Sequence, residues 1–126
     1  MKLRMRANTL RLRLTRGEVD RLGEGQTVRE VTHFPDGTSL IYALAVGGTH
    51  VHAAQQFVDT GSEITVTVPS AQAREWAGSQ EVGFGGDAPV RVGPLEVLIE
   101  KDFSCITPRE GEEELDTFPN PNQSSR

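Results

Sequence analysis

Two histidines spaced two residues apart, His50 and His52, are the first candidates for chemistry in the sequence. On a β-strand, this spacing puts both imidazoles on the same face, where a metal ion could use them. A metal site also needs a third ligand and supporting partners, and the remaining histidine, His33, has no evident relation to the pair. His50 and His52 are therefore weak metal candidates, and we favour a polar strand face. We expect no metal and no cofactor.

The single cysteine, Cys105, follows an apolar run that ends in Glu100, Lys101 and Asp102. A nucleophilic thiol needs a base beside it and an electropositive setting, whereas neighbouring carboxylates keep a thiol protonated. We therefore expect a structural thiol. Alternation places Glu100 and Asp102 on one face of the strand and Lys101 on the other, which is typical of a solvated strand end.

Residues 83–87 form a glycine-rich stretch, but another strand follows it, whereas a phosphate-binding loop leads into a helix. We interpret the stretch as a flexible hairpin connection. The sequence contains no Ser-His-Asp arrangement, no His-Glu-x-x-His motif and no paired cysteines. We therefore predict no catalytic residues and a protein that is not an enzyme.

The most distinctive feature is a basic β-hairpin at the start of the chain, where apolar and basic residues alternate on both sides of Ala7-Asn8-Thr9. Five basic side chains share one face of it: Lys2, Arg4, Arg6, Arg11 and Arg13. Opposed like charges destabilise a hairpin, so an uncompensated face of this kind favours a partner. We predict an acidic protein partner or, as the less favoured alternative, DNA; an ordinary solvated or tail-covered face is the other interpretation.

Composition sets the wider limits. A chain of 126 residues fits one domain, and a net charge of −5 argues against coating nucleic acid or a membrane by bulk charge. Residues 1–21 carry seven basic and two acidic side chains, whereas residues 100–126 carry seven acidic and three basic ones. The sequence has no apolar leader or membrane span, so we expect a cytoplasmic protein; the oligomeric state stays open.

Local patterns predict a β-rich domain over residues 1–106 and a disordered acidic tail over residues 107–126. Thr15 and Glu18 have the spacing of a capping box at the start of a short helix, and Pro69 marks the start of a second helix. Strands are expected on either side of both helices, including one over residues 81–84 and one over residues 94–103.

An offset of 54 residues places residues 10–28 on residues 64–82 without a gap, which indicates an internal duplication. The apolar positions keep their character: Leu10, Leu12, Leu14, Val19 and Leu22 coincide with Ile64, Val66, Val68, Ala73 and Trp76. The two predicted halves span about residues 2–46 and 50–102.

The run RMRANTLRLRLTRGEVDRLGEGQTVRE resembles the opening of the AbrB and MazE swapped-hairpin family, and ITVTVPSAQAREWAGSQEV resembles the same unit. The resemblance implies that two such units interlock into a barrel whose basic hairpins contact DNA. The second hairpin has neutral residues at the comparable positions, namely His50, His52, Gln56, Thr65 and Thr67, so a pair of such units would be basic on one side only.

Most of the chain also resembles a bacterial family of short proteins that have NSLRLRLT-like openings, an EKDF-C motif and FPNPN-like ends. No function is assigned to that family. We therefore predict an α+β, predominantly β fold, with a pseudo-twofold duplicated ββαββ unit that forms one barrel-like or two-layer domain with two short helices. The predicted function is a non-enzymatic binding or adaptor domain; the alternatives are an AbrB/MazE-like DNA-binding regulator or antitoxin and, third, a hydrolase or metal enzyme.

Overall fold

The computed structural model describes residues 1–102 as a β-rich α+β fold with eight strands and two short helices. The interpretations of Cys105 and of the tail over residues 107–126 lie outside the described residues. The elements in chain order are β1 (Lys2–Arg6), β2 (Thr9–Leu14), α1 (Arg16–Gly23), β3 (Val28–His33), β4 (Ser39–Val46), β5 (His52–Val58), β6 (Gly61–Val68), α2 (Ser70–Ala77), β7 (Val90–Val92) and β8 (Leu95–Lys101).

The strands form two four-stranded sheets that each take one hairpin from each half of the chain. Sheet A has the order β1-β2-β8-β7, and sheet B has the order β3-β4-β6-β5. The central pairs, β2 with β8 and β4 with β6, are parallel, whereas every hairpin is antiparallel. The two halves therefore interlock, because neither sheet can form without strands from both.

The order ββαββ occurs twice, and the same pairings occur in both sheets. Leu12 lies beside Ile99 in the parallel pair of sheet A, and Val66, which is 54 residues further along the chain, lies beside Leu44 in that of sheet B. A duplicated unit would produce this arrangement, and the duplication itself stays a hypothesis. The sheets do not close into the barrel that the family resemblance implies.

The helices begin as the sequence predicts. The Thr15 hydroxyl accepts from the Glu18 backbone N–H, and a Glu18 carboxylate oxygen accepts from the Thr15 N–H at 2.9 Å, which completes the capping box. The two helices also pack closely against each other. A Cβ built at Gly23 would lie 2.6 Å from the Cβ of Ala77, so the close approach requires glycine.

The core lies between the inner faces of the sheets and the helices. Its fully buried side chains include Leu12, Leu14, Leu22, Leu44, Val66, Val68 and Val97. Trp76 packs edge-on against Phe84, with ring centroids 5.5 Å apart, and each of the two residues is only 3% exposed.

The segment before β7 differs from the prediction. Residues 81–84 form no strand and make only one isolated bridge, between Gly83 and Glu100. The start of the glycine-rich stretch also differs from the predicted flexible connection, because it packs into the fold. Gly83 and Phe84 are buried, and the Phe84 N–H donates to the Ile99 carbonyl at 2.8 Å. Local alternation could not predict the burial of Phe84, since Phe84 packs against Trp76, which lies on α2.

Neither helix in the described part of the chain is long and apolar enough to cross a membrane.

Candidate functional site

The five predicted binding residues lie together on the outer face of sheet A. In the β1–β2 hairpin, Lys2 stands opposite Arg13, and Arg4 stands opposite Arg11. The leucines of β2 point to the other face and are buried in the core. Burial of the leucines therefore fixes the direction of the basic side chains, because successive residues of a strand point to opposite faces.

Three of the five basic side chains pair with two acidic residues at the end of β8, the neighbour of β2: Glu100 in the strand and Asp102 directly after it. Both Nε and Nη2 of Arg11 contact Oε1 of Glu100, at 2.9 and 2.8 Å. Asp102 lies 3.5 Å from Nζ of Lys2 and 3.9 Å from Nη2 of Arg13. The expectation of an uncompensated basic face is therefore wrong for this part of the hairpin. Glu100 and Asp102 share a face, as alternation predicts, but they are ion-pair partners rather than a solvated strand end.

Arg4 and Arg6 remain as the open pair of the surface. Both side chains are exposed, and neither makes a salt bridge within residues 1–102. They lie on β1, which is an edge strand of sheet A, so no further strand of residues 1–102 lies beside them. On the opposite face of the same strand, Met5 is 57% exposed. The positive charge available to a partner is thus concentrated at one sheet edge.

Sheet B has no equivalent charge. The cross-strand pair Arg4 and Arg11 corresponds to Ala54 and Thr65, which stand opposite each other in the β5–β6 hairpin. An acidic side chain on this hairpin, Glu63, lies 3.9 Å from Arg29. Within residues 1–102 the basic surface therefore occurs once, as the neutral residues of the second hairpin indicate.

The three histidines do not converge. His50 precedes β5, so the His-x-His pair does not lie within one strand. His33 pairs with Ser39 at one end of sheet B, whereas His52 pairs with Thr67 near the other end and on the opposite edge. Among residues 1–102, no three histidine, cysteine, aspartate or glutamate side chains are grouped to hold a metal ion.

A cavity of about 610 Å³ opens beside the end of β8, between the start of α1 and the end of α2. Lys101 lines it, and its ammonium donates to the Ser79 carbonyl at 2.7 Å while lying 5.2 Å from the centre of the Trp76 ring. Partial burial lowers the pKa of Lys101, with a small opposing effect from Glu81. Charges of both signs line the cavity, because Arg16, Asp20 and Asp102 also face it.

A cluster that sequence patterns do not reveal joins the start of the chain to α1 and β3. The α-amino group of Met1 donates to Glu18, and also to Glu30 at 2.9 Å. Burial opposes charge on both groups of the Met1–Glu18 pair. The mutual hydrogen bond and charge attraction outweigh burial, so the pKa of the amine is raised and the pKa of Glu18 is lowered. The cluster fixes the residue that precedes β1 and so positions the basic strand.

Comparison with known proteins gives one match. The sequence profile of a family of unknown function, DUF7009, matches residues 1–122. No curated protein and no solved structure matches the chain.

Proposed function

Because the chain belongs to DUF7009, a family of unknown function, we propose its function from the geometry alone: it is a binding domain that recognises an acidic segment of a partner protein through Arg4 and Arg6. The observation that carries this proposal is the difference between the two parts of the basic face. Lys2, Arg11 and Arg13 have acidic partners at the end of β8 or directly after it, whereas the open pair has none within residues 1–102.

The internal ion pairs make the open pair a better binding site. Arg4 stands directly opposite Arg11, and two like charges at this position would repel each other. Glu100 neutralises Arg11, so Arg4 can remain charged and exposed at little cost to the fold. A rigid β-sheet then holds the two guanidinium groups of the open pair, which reduces the conformational entropy lost when a ligand binds.

The spacing of the open pair fits an extended ligand. Arg4 and Arg6 are two residues apart on one strand and so repeat at about 7 Å on the same face. Carboxylates at every second position of an extended peptide have the same repeat, and guanidinium groups bind carboxylates through paired hydrogen bonds. The edge position of β1 leaves room for such a segment to lie alongside the strand. The substrate class we propose is therefore an extended segment with Asp or Glu at alternate positions.

DNA binding of the AbrB/MazE type is the second candidate, and the interlocked hairpins favour it. One feature weighs against it. Two open arginines would release few counterions, so the binding of this surface to duplex DNA would be weak and only slightly dependent on salt.

The test measures binding of the full chain to three fluorescent probes: a peptide of alternating Glu and Ser, a matched peptide of Gln and Ser, and a short DNA duplex. We expect the acidic peptide to bind most tightly and its affinity to fall with added salt. Arg4→Gln/Arg6→Gln should weaken this binding at least about tenfold, because two charge-assisted contacts are lost. The control Arg21→Gln/Arg74→Gln removes the same charge from exposed helix positions and should bind as the wild type does.

Equal losses in the two double variants would show that only net charge matters, and would contradict a site at Arg4 and Arg6. Tighter binding of the duplex than of the acidic peptide would favour the DNA-binding regulator instead.

A further inference from the structure

Among the strands of residues 1–102, three of the four sheet edges carry features that prevent pairing with another strand. β1 presents Lys2, Arg4 and Arg6, and β3 contains Arg29 and Glu30. β7 is only three residues long and is flanked by prolines at positions 89 and 94. Charged side chains, shortness and proline are the usual means by which proteins block association between sheet edges.

β5 is the exception. This edge strand of sheet B has seven residues, HAAQQFV, with no Lys, Arg, Asp, Glu or proline. Its register with β6 runs unbroken from His52 to Val58, so no bulge turns the edge away from a neighbour. Phe57, at 88%, has the greatest exposure of the large hydrophobic residues in the described part of the chain.

The β5–β6 hairpin is also longer than its counterpart. It forms seven residue pairs, whereas the β1–β2 hairpin forms five. The additional length lies at the turn, where Phe57 pairs with Ser62 and Val58 pairs with Gly61. The extension adds exposed apolar surface at an unprotected edge, and the packing of the described core does not require it, since Phe57 and Val58 do not belong to that core.

We propose that β5 pairs antiparallel with β5 of a second copy of this chain, with a twofold axis at Gln55, so that sheet B continues across a dimer. A twofold interface places the same strand on both sides and covers both unprotected edges at once. In this register Phe57 lies opposite Ala53 of the partner subunit, and both side chains point to the same face as Gln55. The small alanine leaves space for the exposed ring.

The chemistry of the edge favours a second copy over a different partner. A strand without charge has nothing with which to select a charged peptide. It also has no like charges to repel its own copy. Gln55 meets its own copy at the axis, and its amide both donates and accepts, so the two identical side chains can satisfy one another. This surface is on sheet B and is independent of the open pair on sheet A, so either proposal can fail without the other.

Sedimentation of the full chain over a range of concentrations tests the proposal, with a charge-swap pair at the axis. We expect the wild type to dimerise. Gln55→Lys and Gln55→Glu should each weaken the dimer at least about tenfold, because like charges then meet at the axis. An equimolar mixture of the two variants should recover a heterodimer, which also shows that both variants are folded. Gln72→Lys and Gln72→Glu, on the exposed face of α2, are the matched controls and should dimerise as the wild type does.

A wild type that stays monomeric at about 100 µM, well above the dissociation constants of ordinary stable interfaces, would overturn the proposal. Unchanged dimerisation of both Gln55 variants would exclude β5 as the interface. Failure of the mixture to recover would exclude a twofold axis at Gln55.

Discussion

Arg11 and Glu100 are 89 residues apart in the chain, yet the guanidinium of one contacts the carboxylate of the other through both Nε and Nη2. The parallel pairing of β2 with β8 brings them together on the outer face of sheet A. The ion pair has two effects, because it joins the second and last strands of the described chain and withdraws one arginine from the basic surface.

Replacing Glu100 with Gln should therefore separate stability from binding. The variant loses a partly buried, charge-assisted contact, and we expect its free energy of unfolding to fall by about 0.5–1.5 kcal/mol. It also releases Arg11, so the alternating Glu-Ser peptide should bind more tightly. Urea denaturation and peptide titration measure the two effects. Glu96→Gln removes the same charge from the same face but leaves Arg11 paired, and it serves as the control. Weaker peptide binding by Glu100→Gln would contradict this account of the surface.

The Met1–Glu18 contact should give stability a dependence on pH at both ends of the range. The pKa of Glu18 is lowered on folding, so its contribution is fully present above the ordinary value of 4.5 and is lost as the pH falls through the lower folded value. The pKa of the Met1 amine is raised, so its contribution is present below 8.0 and is lost as the pH rises through the higher folded value.

Glu18→Gln tests that dependence. The substitution removes the charge partner of the amine and should lower the free energy of unfolding by about 1–3 kcal/mol near neutral pH. It should also flatten the pH profile at both ends, as measured by urea denaturation at several pH values. The exposed Glu24→Gln is the matched control and should keep the wild-type profile. If the Glu18 variant keeps the alkaline loss unchanged, the amine is not stabilised by this carboxylate.

The interlocked halves should not fold separately. A break between Gly47 and Gly48 leaves each half with two hairpins that have lost their parallel neighbours, and an isolated hairpin is at best marginally stable. We expect the fragments 1–47 and 48–126 to be unfolded alone by circular dichroism and to form a β-rich complex when mixed. The circular dichroism spectrum of the intact chain is the reference. A cooperative thermal transition in either fragment alone would contradict the interlocked pairing.

Local patterns were sufficient to predict some elements. Alternation places the basic residues of the first hairpin on one face, and the spacing of Thr15 and Glu18 predicts the capping box because the interactions involved span three residues. The α+β class and the two short helices also follow from such short-range signals.

Sequence patterns could not identify neighbours that come from distant parts of the chain. Alternation shows which face a side chain points to, but not which strand lies beside it, so the pairing of Glu100 with Arg11 had no local signal. Phe84 lies between glycines, where apolar and polar residues do not alternate, so no local pattern predicts its burial. That burial depends on packing against the ring of Trp76. The Met1 cluster depends on α1 and β3 converging at the start of β1.

An amide chemical-shift titration of the full chain with the alternating Glu-Ser peptide tests the central claim most directly, because it locates the binding surface without any substitution. We predict that the largest shifts fall within residues 2–13, centred on Arg4 and Arg6, and that residues 52–68 of sheet B change little. Shifts that cluster on sheet B or around the cavity beside Lys101, or a spectrum that does not change at saturating peptide, would contradict the assignment of the open pair as the binding site.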